Sequence, residues 1–201
     1  MTRNTTRNTA GTMACNAAGS ATGDMTGKIF PSASAGEAMV AASLAAPCDG
    51  RQSEAALAIQ RGTMRLLASH GLTAIAELVL ANGRRADIVA LSPAGRITIV
   101  EIKSSVADFR ADAKWPDYLA YCDRFLFAVA PEFPGDLIPL DAGLIIADRY
   151  GGEIVREAPQ DHPPLPGARR RALTLSIARS AMARVQGIVD PEWRYAALLE
   201  G

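Results

Sequence analysis

From residue 53 onward the chain alternates between two hydrophobic periods. Ala56, Leu57, Ile59, Met64, Leu66 and Leu67 recur near 3.6-residue spacing. With Ser53 placed to cap the start and Gly71 to close the end, they predict a helix. Thr73–Leu80 follows as a β-rich run, and Asn82-Gly83 after it is strong turn chemistry. Asp87–Leu91 and Arg96–Lys103 are two further runs joined by Ser92-Pro93-Ala94-Gly95, a second predicted hairpin. Within the later run Ile97, Ile99, Glu101 and Lys103 alternate with Thr98, Val100 and Ile102. Residues two apart share a strand face, so the charged pair projects to one side amid apolar neighbours. The turn returns Asp87 to the side of Glu101.

Beyond Lys103 the pattern predicts strand–helix–strand, the crossover that joins parallel strands. Ser104 or Ser105 caps a helix with Asp108 in its first turn, and Pro116 opens a second helical segment from Trp115 to about Cys122. Phe125–Val129 is a compact buried strand. Asp141–Ala147 and Glu153–Val155 read as two short strands around Tyr150-Gly151-Gly152, and the proline-rich Asp161–Pro166, with His162, as a loop. A last helix is expected over Ala168–Gln186, with Leu173, Ile177, Ala181 and Val185 directed at the sheet. Residues 1–50 are rich in Thr, Asn, Ala, Gly and Ser and carry almost no large apolar side chain before Ile29. Such a segment buries too little surface to offset its ordering entropy. The expected organisation is a disordered tail over 1–50, one α/β domain over 51–190 and a short tail over 191–201.

Composition narrows the classes. The 201 residues are 49% hydrophobic, enough for one sizeable core. No apolar stretch nears the ~20 residues of a membrane helix. The patch from Glu37 to Ala46 lacks a preceding basic cluster, and Pro47 before Cys48 spoils a lipobox, so a secretion signal is not expected. A true start at Met25 or Met39 is the simpler account of the tail. Twenty-one basic and 21 acidic residues cancel, which excludes a strongly basic DNA-coating protein but not an enzyme with a local basic rim. Cys15, Cys48 and Cys122 show no paired spacing and there are 2 histidines. That argues against a zinc site or a disulfide framework and suits a reducing, cytoplasmic location. Neither a phosphate-binding Gly-rich loop with Lys-Ser/Thr nor a Gly-x-Ser-x-Gly elbow occurs.

Two carboxylates and a lysine at one end of a buried sheet need compensation. A divalent cation supplies it, because carboxylate oxygens are the hard ligands Mg²⁺ prefers. A plain strand-end ion pair is the alternative. Arg84 and Arg85 meet nucleic-acid phosphates or sit as solvated turn residues. Asp108, Arg110, Asp112, Lys114 and Asp117 have mixed signs, as on an exposed ion-paired face. Trp115 is expected in the core rather than as a base-stacking platform. The triplet Arg169, Arg170 and Arg171 is read toward a phosphate backbone, and Arg179 and Arg184 toward water.

Asp87…Glu101-x-Lys103 resembles the signature of the PD-(D/E)XK nuclease superfamily. The flanking runs Gly83–Asp87, Val100–Ser105, Asp108–Asp112, Lys114-Trp115-Pro116-Asp117-Tyr118, Tyr121–Asp123 and Phe127–Val129 resemble the MmcB-type DNA repair proteins of alphaproteobacteria. The resemblance spans about Gln60 to Arg171. It implies a restriction-endonuclease-like αβββαβ core with a central mixed sheet flanked by helices, and a Mg²⁺- or Mn²⁺-dependent DNA endonuclease. Asp87, Glu101 and the backbone carbonyl of Ile102 hold the metal in this reading, and Lys103 orients or activates water. Glu77 is either a third acidic site residue or an ion-pair partner of Arg84 or Arg85. Because the crossover of this fold borders the cleft, Lys114 and Tyr118 (or Tyr121) join Ser104, Arg84, Arg85 and Arg169–Arg171 as nucleic-acid contacts. The first-helix glutamate that helps bind metal in archaeal Holliday-junction resolvases is matched by Gln60, with Glu54 too far away. A nuclease fold that binds damaged or branched DNA without cutting, acting through repair partners, is therefore the alternative. Relatives of this fold often work as homodimers, but no interface signature stands out here, and RNA is not separated from DNA by side chains alone.

Overall fold

Helix α1 (Glu54–Ser69) begins at its expected cap: the Ser53 hydroxyl accepts the Ala56 N–H at 3.1 Å, and Glu54 lies in the first turn. It ends through His70 and Gly71, whose φ of +73° is left-handed. The computed structural model describes residues 53–112, 114–159 and 163–190. The tails expected over 1–50 and 191–201, and His162, lie outside them.

α1 buries Ile59, Gly62, Thr63, Leu66 and Leu67. Gly62 is dictated by contact, since a Cβ there would fall 1.9 Å from the Asp148 carbonyl oxygen and 2.5 Å from that of Gly151. Both belong to a tight turn whose N–H groups at Tyr150 and Gly151 are held by the Asp148 side chain, so they cannot step aside cheaply. Gly62→Ala is expected to cost about 3 kcal/mol in urea denaturation, by overpacking against backbone. A cost under about 0.5 kcal/mol, the size of a neutral surface change, would refute this account of the contact.

The sheet contains β1 (Thr73–Val79), β2 (Arg85–Leu91), β3 (Ile97–Lys103), β4 (Arg124–Val129), β5 (Gly143–Ala147) and β6 (Gly152–Arg156), side by side in chain order. β1–β2, β2–β3 and β5–β6 pair antiparallel, while β3–β4 and β4–β5 pair parallel. The β3–β4 crossover carries α2 (Val106–Ala111) and a 3₁₀ turn over Trp115–Tyr121, and α3 (Gly167–Val189) closes the described chain. This is the expected αβββαβ order, a mixed sheet flanked by helices, extended by β5, β6 and α3.

Strand alternation sorts the core into two layers. Ile88, Ala90, Val100, Ile102, Leu126 and Ala128 pack with Ile59, Leu66 and Leu67 of α1. Val89, Ile97, Ile99, Phe125, Phe127 and Val129 form the other layer. There Phe109 of α2, Trp115 and Tyr118 join an aromatic cluster in which Trp115 stacks on Phe125 at 5.3 Å, confirming its core role. β3 lies at the centre and is buried at every position.

α3 departs from the expected pattern. Leu173 is buried and Ile177 partly so, but Ala181 and Val185 are exposed. The four-residue spacing drifts around the helix, so its C-terminal half turns these positions away from the sheet. Arg184, expected in water, instead reaches the strand, donating to the carbonyls of Ala76 at 2.6 Å and Glu77 at 3.1 Å.

Candidate active site

The β2–β3 ladder stops at Ile88–Val100, one register step before Asp87 and Glu101 would face each other. Beyond that point the Asp87 carboxylate takes over, with Oδ2 accepting the Ile102 N–H at 2.8 Å. Glu101 and Lys103 continue the face begun by Ile97 and Ile99, as the alternation predicts. The strand end opens into a cleft of about 390 Å³. Its walls are Arg85 and Asp87 of β2, Glu101, Ile102 and Lys103 of β3, Ser104, and Asp108 and Asp112 of the crossover; Ser53 and Ala56 come from the start of α1.

Lys103 is 3% exposed. Its Nζ donates to Asp112 Oδ2 at 2.6 Å and lies 3.4 Å from Glu101 Oε1. Although burial opposes the ammonium, its hydrogen bond to Asp112 and the charge of Glu101 hold the Lys103 pKa above the ordinary value. Asp112 moves the opposite way: burial resists its charge, but the Lys103 hydrogen bond and the Lys114 N–H keep it below the ordinary value. Glu101 is pushed up to about 8, first by burial and next by the charge of Asp87. Burial likewise raises Asp87 to about 6, against the pull of the Ile102 N–H. Glu101 Oε2 is buried without a hydrogen-bond partner. Two desolvated carboxylates that repel each other, one with an orphaned oxygen, suit a small hard cation. Among the described residues no group of three or more His, Cys, Asp or Glu side chains is placed to hold a metal. The available donors, two carboxylates and the Ile102 carbonyl, fit Mg²⁺ or Mn²⁺ that keeps waters, and do not fit a closed zinc site.

The other expected site residues divide. Arg85 lines the cleft, and Ser104 lines it while its N–H and hydroxyl both reach Asp108 Oδ2. Ser105, rather than Ser104, caps α2. Arg84 pairs with Asp117 at 2.6 Å, and Lys114 is exposed. Glu77 does not line the cleft: it is buried at φ +52°, with Oε1 3.7 Å from Arg85 Nη2. That is the ion-pair alternative, one step removed from the site. Tyr118 is also reassigned, being 4% exposed with its hydroxyl donating to the Arg85 carbonyl at 3.0 Å. Of the arginine triplet, Arg170 is structural, bridging both Asp123 oxygens at 2.6 Å. Arg169 donates to the Ala120 carbonyl and lies over Tyr121, while Arg171 is exposed. α1 faces the cleft with Ser53 and Ala56 rather than Gln60, so it brings no carboxylate there. Asp108 and Asp112, expected on an exposed ion-paired face, instead line the cleft. Their four-residue spacing, from the first turn to the C-cap of the helix right after Lys103, is the sequence signal that both return to the strand end.

An α/β sheet of this order, with paired acids and a lysine where β3 meets its crossover, defines a restriction-endonuclease-like class of fold. Residues 44–192 match the model of the family described as DNA repair protein MmcB-like, and the chain belongs to that family. A solved structure from Silicibacter pomeroyi, of a protein of unknown function, is 45% identical. It superposes with a TM-score of 0.68 over 71% of this chain and 97% of the other. No curated protein matches the chain. No helix among the described residues is long and apolar enough to cross a membrane.

Proposed function

We propose that this member of the MmcB-like DNA repair family is a Mg²⁺-dependent endonuclease of the PD-(D/E)XK type that hydrolyses DNA phosphodiester bonds. The observation that carries the reading is the meeting of Asp87, Glu101 and Lys103 in one cleft, with Glu101 Oε2 buried and unsatisfied. Asp87, Glu101 and the Ile102 carbonyl are the residues that would hold the ion. When bound, Mg²⁺ (or Mn²⁺) neutralises phosphate charge and makes water more acidic. Lys103, kept protonated by Asp112, orients the attacking water and donates to the charge that grows on the phosphoryl oxygens. It serves as a fixed cation rather than as a base. Arg85 at the rim engages a flanking phosphate, and exposed Lys114 and Arg171 extend the backbone contacts. Hydrolysis joins the water oxygen to phosphorus and releases that water's proton to solvent, while one P–O bond breaks and the departing oxygen takes a proton from solvent.

Cleavage of labelled duplex, flap, single-stranded and four-way-junction DNA with Mg²⁺ or Mn²⁺ tests this. Wild type cuts at least one of them, and Asp87→Asn and Lys103→Ala each reduce the rate by about 10³-fold. The second reading, a DNA-structure binding protein working with repair partners, draws on the absence of an acid from the cleft-facing start of α1. Folded wild type that binds DNA but leaves every substrate intact would favour it.

A further inference from the structure

Lys103 has two carboxylates within reach and does not divide itself evenly. Asp112 Oδ2 stands 2.6 Å from Nζ, a full charge-assisted hydrogen bond, whereas Glu101 Oε1 stands at 3.4 Å. The preference is built into the backbone. Asp112 is the C-cap residue of α2, and its other oxygen accepts the Lys114 N–H at 3.1 Å, so the carboxylate is fixed from behind. Glu101 has no comparable anchor. Its Oε2 is buried with no partner, in a side chain 9% exposed that lines the cleft.

Those contacts describe a competition. A buried lysine two residues along the same strand face is the natural counterion for Glu101. Had Lys103 closed on Glu101, a divalent cation would have to break a desolvated ion pair to enter. We propose that Asp112 is a positioning residue for the metal centre: by drawing the Lys103 ammonium to itself, it keeps Glu101 open to a divalent cation. This rests on the metal-dependent reading above and assigns a task to a residue outside the Asp87–Glu101–Lys103 set. It also explains why a carboxylate at the end of the crossover points into the cleft without being placed as a ligand.

The test is Mn²⁺ binding without DNA, read by electron paramagnetic resonance or calorimetry on metal-free protein. Wild type binds the ion and Glu101→Gln loses it. Asp112→Asn weakens binding about tenfold, the range of an outer-sphere partner. The asparagine keeps an oxygen for the Lys114 N–H, and melting curves verify that each variant folds. The deciding variant combines Asp112→Asn with Lys103→Met. With no ammonium to hold, Asp112 has no task, so the double variant binds Mn²⁺ as Lys103→Met alone does. Binding by Asp112→Asn equal to wild type overturns the proposal. So does a tenfold loss that persists against the Lys103→Met background, because Asp112 would then act merely as a nearby charge. Folded wild type that binds no Mn²⁺ overturns the metal reading itself, a result distinct from either.

Discussion

Glu101→Gln is expected to stabilise the metal-free protein by about 1–2 kcal/mol while reducing metal-dependent cutting by about 10³-fold. The two effects have one cause. Glu101 is 7% exposed and held near Asp87, so its charged form is costly in the fold: burial first, and the charge of Asp87 next, push it up to about 8 from the ordinary 4.5. A carboxyl whose folded pKa is raised binds its proton more tightly folded than unfolded. Its contribution to stability therefore falls as pH rises from about 4.5 through about 8, and its full cost is present above that window. Glutamine keeps the shape and removes the charge, and Lys103 retains its shorter contact to Asp112. Urea denaturation of metal-free wild type and variant at pH 5 and pH 8.5 reads the difference, with the variant's advantage larger at the higher pH. A variant less stable than wild type at pH 8.5 would show that the Lys103 contact outweighs the burial of the charge.

Asp123→Ala is expected to lower stability by about 3 kcal/mol, with cutting by the folded fraction unchanged. Asp123 Oδ2 accepts the Ile97 N–H at 2.7 Å and Oδ1 the Leu165 N–H at 3.2 Å, while Arg170 of α3 bonds both oxygens. Removing the carboxylate leaves the N–H at the start of β3 unmet and the guanidinium without its counterion. Burial opposes the charge of Asp123, yet the Arg170 hydrogen bonds and the two N–H donors bring it down to about 2. A folded pKa below the ordinary 3.8 gives stability that is complete above about pH 3.8 and is lost as pH falls toward 2. Wild type should lose this increment on acidification and Asp123→Ala should not. The cleft is insulated from the change because β3 and β4 run parallel, placing Asp123 beside the start of β3 and Lys103 at its end. A variant with unaltered stability would refute this role of Asp123; one that folds fully but cuts poorly would refute its separation from the site.

The readable parts of the chain were those set by local rules. The Ile97–Lys103 alternation fixed which side chains share a face whatever the rest of the fold did, and the turns at Asn82-Gly83 and Ser92–Gly95 set the register that returns Asp87 to Glu101. Ser53 and the crossover serines were legible for the same reason, since a cap acts within four residues. Glu77 was not legible. Its positive φ breaks the alternation on which its placement relied, and the Arg184 guanidinium on its carbonyl arrives from a helix about a hundred residues later. Arg170 reads as one of three basic residues until Asp123, 47 positions earlier, is seen to occupy it.

The sequence by itself determined the mixed α/β architecture, the two hairpins and the company of Asp87, Glu101 and Lys103, because periodicity and turn chemistry are properties of neighbouring residues. Only the tertiary structure decided which charges are spoken for. Ion pairing depends on distances between elements far apart in the chain: these turned Tyr118 and Arg170 into scaffold, drew Glu77 to Arg85, and brought Asp112 onto Lys103 while leaving Glu101 Oε2 unsatisfied in the cleft.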